Sequence, residues 1–137
     1  MKPRTRGQSI IEFALLFPLV FLLITGLFDL GRAVFYLSTI NTAAREGTRW
    51  AIVQGKKTIT TTLIQDHVRE YYFSDANLAA NSTITPVFDY AATDPTVTIT
   101  ITYMYFPVTP GINLLLGSGK GIPLKAESTM FLTPLAK

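Results

Sequence analysis

A run of 22 residues, 9–30, holds only two ionisable side chains, Glu12 and Asp29. No other stretch restricts this chain so strongly. As an α-helix the run would reach roughly 33 Å, enough to cross a hydrocarbon layer of about 30 Å. It is longer than the apolar core of an ordinary secretory signal and is followed by no convincing small-residue cleavage site. An anchor that stays on the protein is therefore expected. A carboxylate near the start of such a run is costly in hydrocarbon and demands a reason.

Charge sharpens this reading. The chain has 12 Lys and Arg against 9 Asp and Glu. Three of the basic residues, Lys2, Arg4 and Arg6, lie in residues 1–7, so the remainder is neutral and does not suggest a nucleic-acid-binding surface. Their position just before the span favours a cytoplasmic N-terminus. With 0 cysteines there is no disulfide, thiolate nucleophile or cysteine-based zinc site. Neither a catalytic constellation nor a phosphate-binding loop can be read, so no cofactor, metal or small-molecule substrate is expected. His67 is the only histidine and has no ligand partner of its kind.

The fold expected is α+β: one long N-terminal helix, a second short helix, and a small antiparallel sheet of about three strands. Pro18 removes a backbone donor within the span and predicts a local kink. Asp29 and Arg32, three apart, can pair at the membrane edge. Beyond residue 30, Ala33, Leu37, Ile40, Ala44, Gly47 and Ala51 recur at helical spacing, so the helix continues to about Val53 with one packing face. Trp50 is expected to anchor in the core, and Gly55 to cap the helix. Residues 60–73 predict the second helix, with Leu63, Ile64, Val68 and Tyr71 as its apolar face. Residues 74–82 read as a loop. Strands are expected at 83–90, at an edge because of Pro86, at 96–106 and at 122–132. In the middle strand Val97, Ile99, Ile101, Tyr103 and Tyr105 alternate with threonines, which predicts a one-sided sheet covered by the first helix. Residues 107–121 form a long loop whose Ile112, Leu114, Leu115 and Leu116 are either a core plug or a contact patch.

The spacing of Glu12 from Gly7 supplies the missing reason. Cleavage after Gly7 would make Gln8 the first residue and Glu12 the fifth. That arrangement resembles the type IV pilin-like signal: a short basic leader, a glycine before the cut, a glutamate at the fifth mature position, and an apolar helix. A Glu12 sunk among apolar helices needs a partner, and a new ammonium at Gln8 of a neighbouring subunit would supply one. The alternative is a Glu12 that merely snorkels to the interface.

The match narrows further. The segments G-Q-S-I-I-E-F-A-L (7–15), Pro18-Leu19, G-L-F-D-L-G-R (26–32) and N-T-A-A-R-E-G (41–47) resemble the TadE-like family, pilin-like proteins of tight-adherence (Tad) pilus and secretion systems. The resemblance implies a minor pilin or pseudopilin and no enzyme activity. It further implies processing by a prepilin peptidase at Gly7 and Gln8, and partners among other pilin-like subunits, an inner-membrane assembly platform and membrane lipid. The expected division is a leader at 1–7, a transmembrane assembly helix at 8–30 and an extracytoplasmic domain at 31–137, anchored by a single pass in the cytoplasmic membrane. Two competing functions are a membrane-tethered binding module that never polymerises and, much less supported, a small envelope hydrolase.

Overall fold

The computed structural model describes residues 6–54, 59–73, 75–91, 94–109, 112 and 121–132. One helix, α1 (Arg6–Gln54), runs through both the apolar stretch and the expected packing face. It is followed by α2 (Thr61–Tyr72), a single-turn α3 (Ala76–Ala80), and strands β1 (Ser82–Asp89), β2 (Thr96–Tyr105) and β3 (Ile122–Phe131). The strands form an antiparallel meander in the order β1-β2-β3. The α+β class is the one expected from the sequence.

The sheet follows from β-branched and aromatic alternation. Along β2, Val97, Ile99, Ile101, Tyr103 and Tyr105 are buried, while the threonines between them are half-buried. Pro86 lies on β1, opposite Ile99, where its missing N–H faces away from the ladder at a sheet edge. Thr98 and Thr129 join their hydroxyls across β2 and β3 at 2.8 Å on the outer face. Gly121, entering β3, has φ +66°, a conformation that favours glycine, and a Cβ there would also crowd Tyr105 O at 3.1 Å.

The C-terminal half of α1 lies on the buried face of β2 and β3, and α2 packs against α1 and β1. Ile40, Ala43, Ala44, Thr48 and Ala51 on α1 are buried. Small residues there bring the helix close to the sheet. Gly47 is the tightest point: a Cβ would lie 2.8 Å from Val68 Cγ2 and 3.3 Å from Ile99 Cδ1. Thr48 fixes the register of helix on sheet, donating to Ala44 O at 2.6 Å and to Ser128 O at 3.3 Å.

Several expectations need correction. Leu37 lies on the outer side of the helix, while Tyr36 and Ala43 take the inner one. On α2 only Ile64 and Val68 are buried; Leu63 and Tyr71 are exposed, because the helix meets the core along a narrow stripe. The expected loop at 74–82 contains α3 and the first residue of β1. Asp75 initiates that turn, its side chain accepting from Asn77 N at 2.9 Å. Trp50 is half-buried at the edge of the core and stacks on His67, with centroids 4.3 Å apart. Gly55, Leu114, Leu115 and Leu116 lie outside the described residues, and Ile112 is half-buried.

Gly47→Ala should therefore destabilise the domain despite the better helix propensity of alanine. Overpacking of about 1–3 kcal/mol is offset by roughly 1 kcal/mol of propensity, leaving a net loss of about 1 kcal/mol. Gly31→Ala, whose Cβ meets nothing within 4 Å, should be neutral or stabilising. Chemical denaturation of the two variants in detergent would show the contrast, and equal midpoints would contradict it.

Candidate functional site

The site is α1 itself, in two parts: an apolar rod and the joint that fixes it to the sheet. Residues 7–24 are exposed throughout. The most apolar window of this helix has mean hydropathy 2.5, and none of it is buried. Phe13, Phe17 and Phe21 recur at four-residue spacing with centroids 5.7 and 6.2 Å apart, making an aromatic ridge along one side. The helix continues through Pro18.

Gly7, Gln8 and Glu12 occupy the first two turns of the described helix, all exposed. Gln8 Nε2 donates to Glu12 Oε1 at 3.3 Å, a long contact between residues four apart. Within the single chain Glu12 thus has only a neutral amide as its hydrogen-bond partner among the described residues.

The joint is built on Asp29, which is 6% exposed. Helical side chains tilt toward the helix N-terminus, and this one turns toward the end of β2. Its Oδ1 accepts from Val108 N at 3.0 Å and from the Tyr105 hydroxyl at 3.0 Å. Its Oδ2 accepts from Thr109 N at 2.7 Å and from the Thr109 hydroxyl. The Tyr105 hydroxyl also reaches the Asp29 carbonyl at 2.8 Å. A carboxylate held by this many donors ties together a helix and a loop some 80 residues later in the chain.

Arg32 lies 3.7 Å from Asp29 Oδ1 and is half exposed. Its guanidinium also sits 5.8 Å over the Tyr105 ring. The two residues read as a pair from sequence are thus adjacent, but the principal partners of Asp29 are on the loop. Above this level Tyr36 stacks obliquely on Tyr103 at 4.8 Å and donates to Asp75 Oδ2 at 3.1 Å. Asp29, Tyr105, Tyr36, Tyr103 and Asp75 form a continuous polar and aromatic seam between α1 and the domain. Sequence reasoning missed Tyr36, Asp75, Val108 and Thr109. The available signal was that two tyrosines ending a buried strand face need partners for their hydroxyls.

Burial raises the Tyr105 hydroxyl pKa to about 12, and the hydrogen bond and charge of Asp29 act in the same direction. Tyr103 is also raised, first by burial and then by the facing Tyr36.

The bare apolar half of α1 is long and apolar enough to cross a membrane, and its other half carries a small sheet domain. Residues 7–49 match the family model described as TadE-like protein, so the resemblance read from the sequence holds across most of α1. That match points to a Tad pilus-associated, pilin-like protein, a structural rather than catalytic class. Neither the curated proteins nor the solved structures contain a match.

Two outcomes follow for the joint. Asp29→Ala strands two backbone N–H groups and the Thr109 hydroxyl, while Tyr105 keeps the backbone carbonyl as acceptor, and should cost about 3 kcal/mol. Arg32→Ala, removing a half-exposed ion pair, should cost under about 1 kcal/mol. Denaturation curves, with amide exchange at Val108 and Thr109, would check both.

The tyrosine shift carries its own sign. A folded-state value raised above the unfolded one near 10 means that stability is fully present below pH 10. It falls as pH rises toward 12. Absorbance near 295 nm should show Tyr105 ionising late, and Tyr105→Phe should remove that late component.

Proposed function

We propose that this chain is a minor pilin or pseudopilin of a Tad-type assembly. In this reading a prepilin peptidase removes residues 1–7 on the cytoplasmic side of the inner membrane. The mature protein starts at Gln8, and the helix to residue 30 both anchors and polymerises. The domain beyond it, 31–137, faces outward. The observation that carries the reading is the combination of a wholly exposed apolar helix with Glu12 at the fifth position after Gly7, inside a segment matching the TadE-like family.

The chemistry is electrostatic. Glu12 stands on an apolar rod, and among the described residues its hydrogen-bond partner is the Gln8 side-chain amide. Packing such rods together would withdraw the carboxylate from water, and an unpaired buried charge costs about 3–5 kcal/mol. An ammonium at the mature N-terminus of an adjacent subunit neutralises it and sets the axial register of the two helices. The Phe13, Phe17 and Phe21 ridge supplies area for the same packing. Gln8 departs from the aromatic first residue common in type IV pilins. If it cyclises, the ammonium is lost and the pairing with it.

Glu12→Ala should be cleaved normally but should not enter fibres. N-terminal sequencing of the membrane-extracted protein reads the first point, and quantification of the subunit in sheared fibres reads the second. A mature chain beginning at Gln8 supports the proposal. Retention of residues 1–7 in cells with an active peptidase would overturn it in favour of a tethered binding module.

A further inference from the structure

The loop that docks on Asp29 has a function of its own to explain. Pro107 and Thr109 are buried, whereas Phe106 is 43% and Val108 is 72% exposed. The loop is not free to hide these apolar side chains, since the N–H groups of Val108 and Thr109 are bound to the Asp29 carboxylate. Val108 is therefore held out beside α1 at a fixed height, and Phe106, whose ring lies over Gly121 at the start of β3, keeps part of its surface exposed two residues away.

That height can be read from the helix. The Asp29 carboxylate points toward the N-terminal, apolar end of α1. The hydrogen bonds from Val108 and Thr109 therefore hold the loop at the level of Asp29, next to the exposed apolar residues 27 and 28. On the outer side of the helix the apolar surface continues in the other direction. Leu30, Val34 and Phe35 are 61%, 59% and 66% exposed, and Phe35 lies roughly 9 Å beyond Asp29 along the axis. The loop thus sits inside the apolar zone of the helix. Arg32, half exposed beside it, stands where a snorkelling cation would meet lipid phosphate.

We propose that residues 106–109 form a second membrane contact, in which Phe106 and Val108 enter the outer interfacial layer of the bilayer next to α1. The occupant of this surface is lipid, because the surface is continuous with the anchor and lies at the level where the anchor leaves the hydrocarbon. A helix alone leaves a domain free to swing and rotate about its axis. A second contact clamped to the helix by Asp29 fixes which face of the domain looks along the membrane, and so presents every subunit in one orientation before assembly. The proposal rests on the membrane-anchor reading and adds to it.

The test uses the full chain in vesicles of phosphatidylcholine and phosphatidylglycerol. Because the protein has 0 cysteines, Phe106→Cys, Val108→Cys, Leu19→Cys and Asp94→Cys each carry a single thiol for an environment-sensitive NBD label. Leu19 lies in the apolar rod, and Asp94 lies at the opposite end of β2. Labels at 106 and 108 should shift to the blue and be quenched more by shallow than by deep doxyl lipids. The label at 19 should be quenched more by deep ones, and the label at 94 by neither. Unquenched labels at 106 and 108 with a quenched label at 19 would overturn the loop contact while leaving the anchor intact. An unquenched label at 19 would overturn the anchor and the proposal together. Blue-shifted labels at 106 and 108 that lipid does not quench, and that self-quench as protein density rises, would assign the surface to a second copy and overturn the proposal.

Discussion

One of the two carboxylates in the apolar run of α1, Asp29, decides how the two halves of this protein relate. Asp29 is exposed to hydrocarbon in a bare helix, an unfavourable position for a charge. In the folded chain it is covered by the end of β2 and receives hydrogen bonds from Tyr105, Val108 and Thr109. The same contact solves two problems. It satisfies a charge at the end of the apolar run, and it fixes the far end of the sheet to the helix at a defined height. Without it the domain would still be packed on residues 40–51 and held by Tyr36 against Tyr103 and Tyr105, but Val108 and Thr109 would lose their tie to the helix.

Above the joint, the packing depends on closeness. Gly47, Ala43, Ala44 and Ala51 let α1 settle onto the sheet, and Thr48 bonds directly to the backbone of β3. Below the joint, bulky Phe, Leu and Ile side chains project outward and are exposed. A single helix of 49 residues thus has an inward-facing half and an outward-facing half. The two halves share one continuous helical backbone, which runs through Pro18.

The proposed role in assembly uses both halves. Glu12 at one end is exposed and, among the described residues, bonds only to the neutral Gln8 amide, so it is suited to answering a neighbour. Asp29 at the other end is fully engaged internally and is not available to one. Two acidic residues in the same apolar run therefore do different work, and the difference arises from what surrounds them rather than from residue type.

The primary sequence was sufficient for the long helix, the antiparallel sheet, the buried face of β2, the edge position of β1 and the TadE-like character of residues 7–49. These rest on local periodicity, on the length of the apolar run and on short-range spacing such as Gly7 to Glu12. It was insufficient where contacts join distant parts of the chain. Nothing near Asp29 announces Thr109, and nothing near Tyr36 announces Asp75, because each pairing is created by the sheet folding back along α1. Leu37 and Tyr71 went to the outside for a related reason. Helical spacing tells which residues share a face, but the width of the face actually covered is set by what packs against it. The sequence by itself determined that there is an apolar rod with a charge at either end. Only the tertiary structure decided that one of those charges is spent inside the protein, since its partners come from a loop some 80 residues away.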